Sequence, residues 1–191
     1  MASEHTAARA KVMRAVNAMF ERYHLIAAKL PKKRIEWDDE VMRNAKLIDA
    51  SPSGHVVFHI DITPHFANIN GVLHGGAAST IFDMLTTSAL CPLARPGQFT
   101  FLGGVTRTLN VSFLRAVPIG TTVRVEATVT QMGRTMAMMR GTMGSVNGKT
   151  VYATAEHHKV NVPTREAHSA VRVAWDEEFE RDSGIGGRAK L

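Results

Sequence analysis

Between Val72 and Ala94 the chain carries one full charge, Asp83. Ala77, Ala78, Ile81, Phe82, Met84, Leu85 and Ala89 surround it, so Leu73 to Leu90 has the length of a helix and is apolar nearly all round. Pro92 and Pro96-Gly97 stop it. Such a helix must bury most of its circumference. Asp83 at the centre of the stretch and Gly75-Gly76 near its start argue against a membrane span. A lone buried carboxylate is costly unless something partners it. Either Asp83 faces solvent on a polar stripe with Ser79, Thr80, Thr86 and Thr87, or it is a catalytic carboxylate at the mouth of a buried helix. Periodicity leaves both readings open.

The rest of the chain supplies what could bury that helix. Thr6 to Leu30 reads as a helix capped by Thr6, with Val12, Val16, Met19, Phe20, Tyr23 and Ala27 at helical spacing, ended by Pro31. A charged segment, Lys32 to Glu40, follows. A strand from Ala45 to Ala50 leads through Ser51-Pro52-Ser53-Gly54 into an alternating strand, Val56 to Ile62. After the apolar helix come four strand candidates: Val105 to Leu114, Thr122 to Gln131, Thr135 to Met143 and Thr150 to Val160. They read as a meander, with Asn147-Gly148 resembling a tight hairpin turn. Beyond Pro163 a short helix is expected around Ala167 to Arg181, then a Gly-rich end from Gly184. The expected class is α+β: an antiparallel sheet wrapped around one long central helix, with an extra N-terminal helix and a C-terminal tail.

A chain of 191 residues fits one such domain with tails. The single cysteine, Cys91, forms no internal disulfide, suits a reducing compartment and reads as a small core residue. The formal charge of +6 is concentrated near the ends and suits an anionic partner such as a phosphorylated cofactor. Nucleic acid is not expected, because aromatics are few and no binding motif accompanies the charge. No secretory signal is visible, and Glu4 and Glu21 interrupt what would be a mitochondrial presequence. No metal ligand set is expected: His55, His59, His65, His157 and His158 lack ligand spacing. There is no Gly-x-Ser-x-Gly elbow.

His74-Gly75-Gly76 stands where a loop becomes the apolar helix. It is either an ordinary tight turn or a donor site. The first turn of a helix has N–H groups without intrahelical partners, its dipole is positive there, and glycine admits a close substrate. Such a site suits a carbonyl that becomes an oxyanion. Gly75 and Asp83 are eight residues apart, or roughly 12 Å along one helix. A base and an oxyanion donor must each lie within about 3 Å of their target atoms. One chain cannot easily bring both to one carbonyl. Two antiparallel helices in a symmetric dimer can, with Gly75 of one subunit facing Asp83 of the other.

Asn68-Ile69-Asn70-Gly71-Val72-Leu73-His74-Gly75-Gly76, followed by Thr80-Ile81-Phe82-Asp83, resembles the signature of hotdog-fold acyl-CoA thioesterases. The nearest type is the phenylacetate-pathway group that includes thioesterase superfamily member 2. The resemblance covers about Ala45 to Val162. It divides the chain into an N-terminal helix and linker (1–44), a hotdog domain (45–162) and a tail (163–191). It implies a homotetramer of two hotdog dimers, with acyl-CoA as substrate and no separate cofactor. Asp83 would be the general base or nucleophile, and the Gly75 N–H would polarise the thioester carbonyl. Asn68 would position water or carbonyl, Thr106 would orient the water, and His74 would brace the loop. Gly133-Arg134-Thr135 resembles the hairpin that approaches CoA. Arg134 would pair with a CoA phosphate unless it is an ordinary solvated turn charge, and Arg115 is a further candidate of that kind.

Two alternatives stand beside hydrolysis. One is a non-catalytic acyl-CoA binding module. The other is a hotdog hydratase or dehydratase, which would need a His paired with an acid, and the central helix offers none after His74. Ala189-Lys190-Leu191 is a variant of the Ser-Lys-Leu peroxisomal address. It adds the import receptor as an expected partner and the peroxisome as the expected location, with cytoplasm or mitochondrion as alternatives.

Overall fold

The computed structural model describes residues 2–29 and 37–184. Ala189-Lys190-Leu191 and the basic run Lys32-Lys33-Arg34 lie outside the described residues. The elements are α1 (Ala2–Ala27), α2 (Trp37–Asn44), β1 (Lys46–Ser51), β2 (His55–Asp61), a 3₁₀ turn (Pro64–Phe66), α3 (Gly75–Thr87) and a 3₁₀ segment (Ser88–Leu93). Then come β3 (Val105–Phe113), β4 (Thr122–Met132), β5 (Met136–Ser145), β6 (Val151–Val160), α4 (Glu166–Ser169) and α5 (Ala174–Asp182).

The strands form one six-stranded antiparallel sheet in the order β1-β2-β4-β5-β6-β3. The expected four-strand meander is corrected here. β4, β5 and β6 are consecutive neighbours, but β3 pairs with β6 rather than with β4. Hydrophobic alternation gives each strand its faces but not its neighbours. The chain from β3 to β4 crosses the end of the sheet, and β2 pairs with β4 along its whole length, which shuts β3 out of that position. The Asn147-Gly148 turn is also longer than a two-residue loop: Gly148 N–H bonds Ser145 C=O and Ser145 N–H bonds Thr150 C=O.

The sheet curls around α3, which buries Ala77, Ala78, Ile81, Phe82 and Leu85 against Phe58, Ile60, Val123, Val125 and Met143. Each large apolar side chain buried here contributes roughly 1.5–3 kcal/mol. Close packing at one point requires glycine. A Cβ at Gly141 on β5 would lie 2.8 Å from the Thr86 methyl and 3.0 Å from the Phe82 ring.

α1 begins at Ala2, so Thr6 is not its cap. Its apolar face (Val12, Ala15, Val16, Met19) covers the β1 edge and the 3₁₀ segment. The Arg9 guanidinium donates to Asp49 Oδ1 at 2.6 Å and to Ile48 C=O at 3.1 Å, which satisfies part of that edge. α5 docks on α1 through Arg14–Glu178 at 2.7 Å, Lys11–Asp182 at 2.5 Å and a buried Arg22–Asp176 pair. Cys91 packs against Met19, and burial pushes its thiol up to about 12, which keeps it protonated. The expected tail helix is two helices, α4 and α5.

The charged segment before the first strand hides an element that sequence reading missed. α2 has Val41 and Met42 buried, acidic residues in its first turn and Arg43 in its last. Those charges complement the helix dipole, a signal that was present among the polar residues. The other sheet edge, β3, is not covered by any of the described residues. Val105, Phe113 and Leu114 stand 50–56% exposed along it. No helix of the described structure is long and apolar enough to cross a membrane.

Candidate active site

Two groups of residues meet α3, one at its start and one two turns further on. At the start, the loop Asn68–His74 is held by its own polar atoms. Asn68 Oδ1 accepts from Asn70 N–H at 2.8 Å and from Val72 N–H at 3.3 Å, while Asn68 N–H donates to Val72 C=O at 2.8 Å. The side-chain oxygen is therefore committed to the loop, and the amide NH2 is the end left to donate. His74 caps α3: its Nδ1 accepts from Gly76 N–H at 2.9 Å. The Trp37 ring of α2 lies 5.3 Å from the His74 ring. His74 thus braces the loop and consumes the Gly76 donor. Among the described residues no bond takes up the Gly75 N–H, so it remains free for a ligand.

Gly75 opens on a cleft of about 720 Å³ lined by Phe113, Leu114, Arg115 and Tyr152. Arg115 is fixed there by a 2.8 Å bond from Nη1 to Val151 C=O. Gly133 and Arg134 line a different cleft, about 700 Å³, with Leu93, Arg95 and Gln98. The Thr135 carbonyl accepts from Asn161 N–H beside it.

Two turns into α3, Asp83 reaches β3 and β6. A register shift in β3 between Thr106 and Thr108 is the kind of bulge that re-aims a side chain. Thr106 Oγ1 donates to Asp83 Oδ1 at 2.5 Å. His157 Nε2 lies 2.9 Å from Thr106 Oγ1 and 3.3 Å from Asp83 Oδ1. His157 is fully buried, whereas the Asp83 side chain is 39% exposed. Behind the imidazole, Nδ1 lies 2.6 Å from Thr86 Oγ1. Lys159, 4% exposed, donates to Thr87 Oγ1 at 3.0 Å, and Thr87 Oγ1 donates to the Asp83 carbonyl at 2.6 Å.

The surface-stripe reading of Asp83 fails at this end of the helix. Thr86 and Thr87 are buried, and Ser79, Thr80, Thr86 and Thr87 each bond the carbonyl four residues back. Sequence reading missed His157 and Lys159. They were visible only as alternate residues of a strand whose other inward residues are Ala153 and Ala155. Two polar residues on the core face of a strand were the available signal.

Burial pushes the His157 pKa down to about 4; nearby Lys159 adds to this and Asp83 opposes it. Burial likewise lowers Lys159, again against Asp83. A ring held neutral in the fold but free to protonate when unfolded gives stability that is present above its ordinary 6.5 and is lost as pH falls towards about 4. That component amounts to about 3 kcal/mol. Chemical denaturation at pH 7 and pH 4.5 should show it, and His157→Gln should flatten this part of the slope. An equal slope in the variant would remove the assignment.

Within one chain Asp83 and the Gly75 N–H do not converge. They are on one helix eight residues apart, roughly 12 Å along its axis. The structure joins Asp83 with Thr106, joins Asn68 and His74 with Gly75, and places Arg115 beside the Gly75 group. Gly133, Arg134 and Thr135 stand apart from both.

Comparison with known proteins fits this geometry. Residues 70–152 match the model of the thioesterase superfamily. Acyl-coenzyme A thioesterase 13 of Homo sapiens is 27% identical over 99 residues, covering 52% of this chain and 66% of that protein. The Mus musculus protein of that name is 26% identical over the same shares. The matched region therefore spans just under two thirds of these relatives' length. Among solved structures, zebrafish thioesterase superfamily member 2 superimposes with a TM-score of 0.56 at 24% identity, covering 71% of this chain and 90% of that one. A hypothetical thioesterase with coenzyme A from Streptococcus pneumoniae gives 0.56 at 20% identity, covering 65% and 90%. These structural likenesses establish the fold, a sheet wrapped around a central helix. The chain thus matches the thioesterase superfamily over residues 70–152 and has the hotdog fold.

Proposed function

We propose that the chain is an acyl-CoA thioesterase that hydrolyses its substrate to free acid and CoA at a site shared by two subunits. The observation that carries this reading is the carboxylate of Asp83. Oδ1 is held by Thr106 at 2.5 Å while the side chain stays partly open to solvent. Oδ2 is then the atom that takes a proton from water. The hydroxide attacks the thioester carbon, forming a C–O bond, and the carbonyl becomes an oxyanion. The partner's Gly75 N–H and the amide of Asn68 hold that charge. Collapse breaks the C–S bond and releases CoA as thiolate, a good leaving group that needs no strong acid; the thiolate then takes the proton from Asp83, which restores the carboxylate. Thr106 is occupied by the carboxylate, so its role is to fix Asp83 as a base rather than to orient water alone.

The dimer follows from the uncovered β3 edge. Its unpaired backbone and the exposed Val105, Phe113 and Leu114 suit a second copy of the chain. Such a dimer can set one subunit's Asp83 against its neighbour's Gly75. Two dimers would form the homotetramer. Arg134, with Gly133 and Thr135, and Arg115 are the groups offered to the CoA phosphates. The coenzyme A in the Streptococcus pneumoniae structure supports CoA recognition on this fold. The names of the curated relatives support hydrolysis of acyl-CoA.

The hydratase reading gains one observation, the His157–Asp83 contact. The imidazole is fully buried behind Thr106, however, so it cannot reach an acyl chain. Thiol release from a panel of acyl-CoAs separates the readings. A thioesterase releases one thiol per turnover. A hydratase changes the acyl chain without free thiol, and a binding module changes nothing; either result would end the proposal.

A further inference from the structure

We infer that His157 and Thr86 are positioning residues for Asp83, forming with Thr106 a one-way hydrogen-bond chain that ends on the carboxylate. This deepens the proposed function and rests on Asp83 being its base. The chain is read from the proton count. The Thr106 hydroxyl has one proton, and its 2.5 Å contact gives that proton to Asp83 Oδ1. His157 Nε2, 2.9 Å from Thr106 Oγ1 and 3.3 Å from Asp83 Oδ1, then faces two acceptors. A bare nitrogen lone pair there would be buried against a carboxylate with no donor between them. Nε2 must therefore carry the imidazole proton.

That choice fixes the other nitrogen. Nδ1 becomes the acceptor, and Thr86 Oγ1 at 2.6 Å is its donor. Thr86 Oγ1 also lies 2.6 Å from the Phe82 carbonyl. The Phe82 carbonyl keeps its helical partner, the Thr86 N–H, when the hydroxyl turns to the ring. Turning leaves Oγ1 and the Phe82 oxygen 2.6 Å apart without a proton between them, a contact of two neutral oxygens, whereas the opposite tautomer sets a bare Nε2 against a carboxylate. The order is Thr86 O–H to His157 Nδ1, His157 Nε2–H to Thr106 Oγ1, and Thr106 O–H to Asp83 Oδ1. Bonds aligned in one direction strengthen one another in a dry site.

The scheme needs a neutral ring, and charges on three elements bear on it. Asp83 on α3 favours a second proton on His157, and Lys159 on β6 opposes it. His158 opposes it more weakly; it is held by Glu156 at 3.2 Å on the other face of β6, where Arg140 of β5 also faces Glu156. Burial and Lys159 outweigh Asp83, so the ring stays neutral and donates from Nε2 alone. Lys159 therefore acts on the ring by its charge and reaches the Asp83 backbone carbonyl through Thr87.

Two measurements test this. ¹⁵N spectroscopy of the wild-type protein, with His157 assigned by loss of its signals in His157→Gln, should show a neutral ring protonated on Nε2 at pH 7. A ring protonated on Nδ1, or on both nitrogens, would overturn the inference whether or not the protein hydrolyses acyl-CoA. Thr86→Val keeps the shape beside Gly141 and removes the distal donor. It should lower kcat for acyl-CoA hydrolysis about tenfold with KM unchanged, and Thr86→Ser should restore it. A folded Thr86→Val with wild-type kcat would overturn it too.

Discussion

Asp83→Asn should fold and assemble as the wild type does and should lose about 10²–10⁴-fold in kcat for thiol release, the usual contribution of a positioned general base. The substitution is chosen to spare the scaffold. Asn keeps the volume and an oxygen for the Thr106 hydroxyl, so the 2.5 Å contact survives. It removes only the capacity to take the water proton. The side chain is partly exposed, and buried Lys159, which loses the counter-charge of Asp83, keeps its bond to Thr87. KM should move little, because the carboxylate acts on water rather than on the substrate's binding groups. A variant with kcat within about threefold of wild type would show that another group removes the proton.

Gly75→Pro should lower kcat about 10²–10³-fold, the typical effect of deleting one oxyanion donor. Proline is tolerated at the first position of a helix, where the N–H has no intrahelical partner. Gly75 is that position in α3. The preceding His74 is already extended, at φ −67° and ψ 135°, as a residue before proline must be. A Cβ at Gly75 would meet the Phe113 ring at 3.4 Å, an ordinary contact. The variant thus deletes the donor while the helix start remains. His74 and Gly76 keep their 2.9 Å bond, so loss of activity cannot be ascribed to an unravelled loop. Full activity in a folded Gly75→Pro protein would remove the N–H from the mechanism.

The central helix and its carboxylate were legible because both break a pattern. A run apolar on every side must be enclosed, and one charge inside it must have a partner. The strands were legible too, since alternation marks faces. Their order was not: β3 beside β6 is a choice among neighbours that no single strand encodes. α2 was hidden because a short helix rich in Asp and Glu looks like a solvated linker until Val41 and Met42 are seen buried. Asp83 and Gly75 could be read from local spacing around one helix, while Asn68 and His74 were named by the resemblance. His157 and Lys159 could not. They come from a strand more than seventy residues away, and only the sheet's closure sets them under Asp83. Thr106 lies between these cases. The resemblance pointed to it, and the register shift in β3 accounts for its direction.

The dimeric site is the claim on which the mechanism depends, and mixing two inactive proteins tests it most directly. Asp83→Asn and Gly75→Pro chains, co-expressed in equal amounts, should pair at random. Half of the dimers would then contain one chain of each kind, and each of these has one intact site, with Gly75 from the first chain and Asp83 from the second. The mixture should recover about a quarter of wild-type activity. A mixture as inactive as its two parents, with mixed dimers shown to be present, would mean that carboxylate and oxyanion donor serve one carbonyl from the same chain, and the account would fail.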